Sequence, residues 1–134
     1  MCAAPSYLRQ RGRPQSSADL RAHDCIVGSP KGPPLAWVLR ESGETKRIAP
    51  PATHQISDGD AMVDAAIAGL GLCQVPISMV RTSLENGLLE AVLTDISTVP
   101  VEVHAVWPRQ SHLSPRVRHV VDRLLSEAAN GRLS

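Results

Sequence analysis

Three reactive residue types stand side by side at His23-Asp24-Cys25: a base, a carboxylate and a thiol. Nucleophilic catalysis needs nucleophile and base to converge at hydrogen-bond distance, and side chains of adjacent residues point in different directions. The triplet therefore reads as a helix end running into a buried strand, with the thiol serving as a small hydrophobe. His54, His104, His112 and His119 show no HxxxH, HExxH or Cys-His spacing and read as surface or structural histidines. Asp60 and Asp64 lie one helical turn apart with Asp58 just upstream, yet neither a further ligand nor an EF-hand spacing follows. Gly69-Leu70-Gly71 is half of a dinucleotide fingerprint, but it follows a helical pattern instead of preceding one. Ser57, Ser78 and Ser83 lack the GxSxG context of a nucleophile elbow. The residues assign no catalytic group, no metal ligand and no cofactor, and the expectation is a protein that is not an enzyme.

Composition narrows the class further. A chain of 134 residues suits one compact domain, and 43% hydrophobic with 20% charged residues is ordinary globular composition. Fourteen Lys and Arg against thirteen Asp and Glu leave a net charge of +1, too little for a module built on phosphate neutralisation. Arg9, Arg11, Arg13 and Arg21, with Asp19 among them, read as a solvated helix face. Phe is absent and only Tyr7, Trp37 and Trp107 are aromatic, so base-stacking platforms are excluded and the core must be aliphatic. The longest apolar run, around residues 65–75, is interrupted by Gly69, Gly71 and Gln74 and falls short of the roughly 20 residues of a membrane span. Cys2, Cys25 and Cys73 are odd in number, widely spaced and free of CxxC, and no signal-peptide pattern opens the chain. Reduced thiols in a cytoplasmic protein are expected.

The elements that would position any site follow from the Gly and Pro punctuation. A short helix is expected over residues 5–11, ended by Gly12, and another over 17–22 behind the capping pair Ser16 and Asp19. Residues 25–27 read as a buried strand, 29–34 as a loop, 35–40 and 45–48 as a hairpin, and 53–57 as a further strand. Asp58 caps a helix running to Leu70 that is apolar almost all round, the mark of a helix buried against a sheet. Gly69 and Gly71 reverse the chain into a strand over 72–75; a helix over 77–86, a strand candidate over 88–93 and a half-buried strand over 101–107 follow. Ser114, Pro115 and Asn130-Gly131 bound a last helix with the apolar stripe Val117, Val120, Val121, Leu124, Leu125 and Ala128. This is the grammar of an α/β fold, a mixed sheet flanked by helices.

Against that background Ala4-Pro5-Ser6-Tyr7-Leu8, Ser17-Ala18-Asp19-Leu20 and His23-Asp24-Cys25-Ile26 resemble the "SPAYL … PADL … HDCL" run of LysR-type transcriptional regulators. Trp37 sits where that family often carries a tryptophan. Ser57-Asp58-Gly59-Asp60-Ala61 resembles its "NDG-x-A" segment, with Ser57 in place of the usual Asn. Residues 66–72 with Val75-Pro76 resemble its "AALAGLGIA…LP" stretch, 84–93 its "L..G.L..VL", and Trp107-Pro108 with 113–118 its "YP…LSPRVR". The matches run in register through essentially the whole chain.

The resemblance implies an effector-binding region shaped like a periplasmic binding protein, two α/β subdomains with a small-molecule cleft between them. It implies that residues of about 5–100 are the second subdomain and about 101–134 the closing strand and last helix, with most of the first subdomain and the DNA-binding domain lacking. The implied function is effector sensing without direct contact to nucleic acid or membrane. The alternative is a stand-alone interaction module that pairs with full-length regulators. Loops at strand ends line such a cleft, which here places Gly28, Ser29, Ser57, Asp58, Val75 and Pro76 at the effector. The docking surface of the last helix in the family is missing, so Val117, Val120, Val121, Leu124 and Leu125 are expected at a homodimer interface. Burying that stripe contributes roughly 8–15 kcal/mol as an upper bound.

Overall fold

The computed structural model describes residues 1–29, 31–100, 104, 106 and 114–130. They belong to two units, Met1–Val99 and Pro100–Ser134. The first contains β1 (Cys2–Ala3), α1 (Pro5–Arg11), a 3-10 turn (Ser17–Ala22), β2 (Cys25–Gly28), β3 (Trp37–Glu41), β4 (Glu44–Ile48), β5 (His54–Ile56), α2 (Gly59–Ile67), β6 (Leu72–Cys73), α3 (Ile77–Glu85), β7 (Glu90–Ala91) and α4 (Thr94–Ser97). The described part of the second holds α5 (Pro115–Ala129).

Five strands form one mixed sheet in the order β5-β2-β6-β1-β7. β2 runs parallel to both neighbours, with Gly28 opposite Ile56 of β5 and Ile26 opposite Cys73 of β6. β1 is antiparallel to both of its own neighbours, and Cys2 is paired with Cys73 on one side and Ala91 on the other. α2 is the crossover that parallel β5 and β6 require, since a tight turn cannot join them. Because side chains alternate along a strand, the sheet divides the core in two. Ala3, Cys25, Val27 and Leu72 face a cluster with Tyr7, Leu8, Leu20, Trp37 and Leu39. Cys2, Ile26 and Cys73 face the opposite cluster, with Met62, Val63 and Ala66 of α2 and Val80 of α3. Both clusters are aliphatic apart from Tyr7 and Trp37, as a sequence without Phe requires.

β3 and β4 pair only with each other, from Trp37–Ile48 to Glu41–Glu44, around the two-residue turn Ser42-Gly43 with both φ positive (53° and 81°). One side chain ties this hairpin to the sheet. The Gln74 amide, just beyond β6, donates from Nε2 to the Val38 carbonyl (2.7 Å) and accepts from the Val38 N–H at Oε1 (2.8 Å). It occupies both backbone groups of a residue that would otherwise need a strand partner. The reversal into β6 is equally specific, because a Cβ on Gly71 would overlap the Asp24 carbonyl oxygen, the same atom that accepts from Leu72 N–H at 2.9 Å.

Where α1 meets the start of β2, a polar network lies at the edge of the core. The Asp24 N–H donates to the Tyr7 hydroxyl (2.8 Å), which lies 3.1 Å from His23 Nδ1, and Arg11 donates to the Asp24 carboxylate (2.6 Å). Burial, helped by the Arg11 charge, pushes the His23 pKa below the ordinary histidine value. The His23-Asp24-Cys25 triplet is thus split by direction, with His23 on Tyr7, Asp24 on Arg11, and the Cys25 thiol donating to the Leu20 and His23 carbonyls. Burial raises the Cys25 thiol to about 12, far from a nucleophile's range.

Most expected elements are present, with three differences. The helix expected to reach Leu70 stops at Ile67 and buries only Met62, Val63 and Ala66, while Ala61, Asp64, Ala68 and Leu70 are exposed, so its opposite face is wet, with alanines beside Asp60 and Asp64. The strands expected over 72–75 and 88–93 shorten to two residues each, and Gln74 pairs through its side chain where a longer β6 was expected. β1 and α4 had no counterpart in the sequence reading. At the Ser16–Asp19 pair the acid accepts from the Gln15 and Ser16 N–H groups, the reaching-back half of the capping arrangement. The strand expected over 101–107 falls largely outside the described residues.

The lowered His23 pKa sets a sign for the pH dependence. In the window between the folded value and the unfolded value of about 6.5 the unfolded chain binds more protons, so stability rises with pH through that window and is lost as pH falls through it. Urea titrations are expected to show the wild type losing stability below about pH 6.5 more steeply than His23→Gln; equal slopes would contradict a neutral, buried His23.

Candidate functional site

Because β5, β2 and β6 are parallel and in register, their carboxyl ends lie along one edge of the sheet. The chain leaves β2 at Gly28-Ser29, β5 at Ser57-Asp58 and β6 at Gln74-Val75-Pro76, so all six residues expected at an effector fall on this edge. Hydrogen bonds fix the loops there. Ser29 N–H donates to the Ile56 carbonyl (3.0 Å) and joins the ends of β2 and β5, while Leu35 N–H returns to the Gly28 carbonyl (2.8 Å). The Ser29 hydroxyl closes the intervening loop on the Gly32 carbonyl (2.8 Å).

Two helices start from the same edge. Asp58 caps α2 by accepting from Ala61 N–H at Oδ1 (2.9 Å), so the carboxylate is committed to the helix end. α3 begins at Ile77 behind Pro76 with no side-chain cap, and Ser78 stands in its first turn. The two starts touch closely, since a Cβ on Gly59 would come within 2.6 Å of the Met79 methyl. A Cβ on Gly28 would likewise come to 3.1 Å from Leu35 Cδ1 and 3.7 Å from Met62 Sδ. The rim is therefore built of glycine backbone, serine hydroxyls and the apolar ends of Leu35, Ile77 and Met79, with the buried Met62 behind it. Leu35 and Ile77 are 53% and 52% exposed, so the rim is open and apolar.

No group on this edge is arranged for bond-making chemistry. Ser57 and Pro76 are exposed, Val75 is partly buried against the α2 side of the core, and none of the six residues pairs with a base or an acid beyond the Asp58 cap. Among the described residues no group of three or more His, Cys, Asp or Glu could hold a metal. Two hollows lie elsewhere. One of about 290 Å³ is lined by Arg13, Gln15, Val92 and Asp95, and one of about 460 Å³ by Ser17, Arg21, Ile48 and Pro51. Sequence reading did not single out Leu35, Ile77 and Met79, whose apolar character alone does not distinguish a rim from a core.

In α5, Ser114 accepts from Val117 N–H (3.4 Å) and Pro115 occupies the first turn, as its residue types predict. No residue of the helix is buried, and Val120 and Leu125 are 56% and 63% exposed. Arg123 and Glu127 pair across one turn (3.0 Å) on its polar side. No described helix is long and apolar enough to cross a membrane.

Comparison with known proteins agrees with this architecture. The family profile of the LysR substrate binding domain matches residues 1–129. The chain is 29% identical over 127 residues to the probable HTH-type transcriptional regulator LtrA of Klebsiella pneumoniae, covering 92% of this chain and 41% of LtrA. The regulatory domain of AphB from Vibrio vulnificus superposes with a TM-score of 0.69 at 27% identity, covering 93% of this chain and 62% of that one. Full-length AphB of Vibrio cholerae, a virulence activator, gives a TM-score of 0.63 at 34% identity over 72% of this chain and 33% of its own. The chain spans about two-fifths of the length of the curated relatives it matches, which are transcriptional regulators. The mixed α/β sheet, its flanking helices and a profile match over nearly the full length establish that this chain belongs to the LysR substrate-binding domain family of LysR-type transcriptional regulators.

Proposed function

We propose that the chain is a non-catalytic, cytoplasmic effector-sensing part of a LysR-type regulator, and that its effector sits on the carboxyl edge of β5, β2 and β6. Residues of about 5–100 form the second regulatory subdomain and about 101–134 the returning strand and last helix. The observation that carries the reading is the convergence of three parallel strand ends and two helix starts on one rim with no catalytic arrangement. Gly28, Ser29, Ser57, Val75 and Pro76 supply backbone and hydroxyl contacts, and Asp58 contributes chiefly by fixing the start of α2. The effector is a small molecule with an apolar body against Leu35, Ile77 and Met79 and a polar group near the serines. The rim is open to solvent at Leu35 and Ile77, so binding by the single chain is weak. DNA is contacted by other parts of a regulator.

A second reading is favoured by the exposed stripe on α5. Val117, Val120, Val121, Leu124 and Leu125 lie at three- and four-residue spacing, and a patch of that kind marks a protein contact. We assign it to a homodimer, with pairing to a full-length regulator as the interaction-module alternative.

Each reading has its own test. A saturating effector at about a hundred times its dissociation constant is expected to raise the melting temperature by roughly 5–10 °C. Ser57→Trp, placed at an exposed position on the rim, is expected to keep the unliganded melting temperature and lose that rise; an unchanged rise would remove the effector from this edge. For the helix, light scattering across a concentration series is expected to give a dimer that Leu124→Asp converts to monomer, with a loss of the stability that association adds. A wild type monomeric at every concentration would overturn the assignment.

A further inference from the structure

The pairing of β1 with β6 places two cysteines directly opposite each other. Cys2 and Cys73 are Cα partners, and their sulfurs lie 3.5 Å apart on the same face of the sheet. Directly opposed residues on antiparallel strands have Cα atoms about 4.5–5.5 Å apart, inside the roughly 4.4–6.8 Å range that a disulfide spans. From thiol contact to the S–S bond of about 2.05 Å is a movement of roughly 1.5 Å, which side-chain rotation can supply without displacing either strand. Both side chains are buried, at 2% and 0% exposure, and neither takes part in the strand-end rim. Cys25 provides the contrast: it lies in the opposite core cluster, its thiol spent on the Leu20 and His23 carbonyls.

We propose that Cys2 and Cys73 form a reversible dithiol–disulfide couple that fastens β1 to β6, with a hydroperoxide as the oxidant. One thiolate attacks the terminal peroxide oxygen, the O–O bond breaks, and the departing alkoxide or hydroxide takes up a proton while the sulfur becomes a sulfenic acid. The partner sulfur then attacks the sulfenic sulfur, the S–O bond breaks, and hydroxide leaves as water with the second thiol proton. Two electrons pass from the sulfurs to the peroxide, and two thiols and one hydroperoxide become one disulfide, one alcohol (water for hydrogen peroxide) and one water. The Cys2 and Cys73 sulfurs share one hydrogen bond at 3.5 Å, in which either can donate, so either can supply the attacking thiolate and the other resolves the sulfenic acid. Oxidant reaches the pair during the transient openings of the sheet that β1 shares with β2 and β6. The bond would lie beneath Met62, Val63 and Ala66 of α2, and a small thiol reductant would reverse it.

The test is peptide mapping of the folded chain after mild hydrogen peroxide treatment and alkylation in denaturant. A covalent link between the tryptic peptides of residues 1–9 and 48–81, about 2 Da lighter than their sum, is expected, with Cys25 still alkylated and the link lost on dithiothreitol treatment. The linked form is expected to melt on the order of 10 °C higher, because the bond closes a long loop in the unfolded chain. Cys25→Ala should leave the link intact and Cys73→Ala should abolish it. Cys2 and Cys73 each carrying added oxygen without a link, a link through Cys25, or both thiols still fully alkylated would overturn the proposal.

Discussion

The structure depends on two residues, Cys2 and Ala3, filling the place between β6 and β7. The three parallel strands would otherwise end at β6, with one row of peptide groups facing water, and β7 would have no partner. β1 supplies backbone partners on both sides, and its two side chains enter the two halves of the core, Cys2 below α2 and α3 and Ala3 below α1 and the hairpin. A change of register by one residue would exchange those side chains between the faces. Small residues are needed here, because both neighbouring strands and the crossover helix press close.

From that sheet the site follows by alignment. Parallel strands paired in register must end together, so the loops after β5, β2 and β6 have no choice but to share an edge. α2 and α3 start from it with one helix capped by Asp58 and the other uncapped, leaving peptide N–H groups and serine hydroxyls beside methionine and leucine side chains. The triplet that invites a catalytic reading is committed elsewhere: His23 to Tyr7, Asp24 to Arg11, and the Cys25 thiol to the Leu20 and His23 carbonyls.

What was legible in the sequence was whatever local chemistry determines. Ser42-Gly43 dictated the hairpin turn, Asp58 the start of α2, Ser114-Pro115 the start of α5, and the apolar triplet at 25–27 a buried strand. Strand ends were legible where Gly, Ser or Pro marks them, which is why the six residues named for the effector fall at the ends of β2, β5 and β6; their role there is part of the proposal. What was hidden depends on pairing across long separations. Met1 to Ala3 carries no strand signal of its own and becomes β1 only through β6 and β7, some 70 to 90 residues on. Gln74 looked like one more strand residue, and its bidentate hold on Val38 exists only once the hairpin is docked. The all-apolar reading of α2 failed because alanine is indifferent to exposure, so Ala61 and Ala68 could face water without cost.

The claim on which the rest stands is that β1 is an integral central strand, and native-state hydrogen exchange measures it directly. The amides of β1, and that of Val92, which donates to the Met1 carbonyl at 3.0 Å, are expected to be protected to the same free energy as Ile26 and Cys73 and to exchange with them in one cooperative opening. Exchange of β1 within minutes while β2 and β6 stay protected would show a sheet that stands without it, and would contradict the account given for both core faces and the strand-end rim.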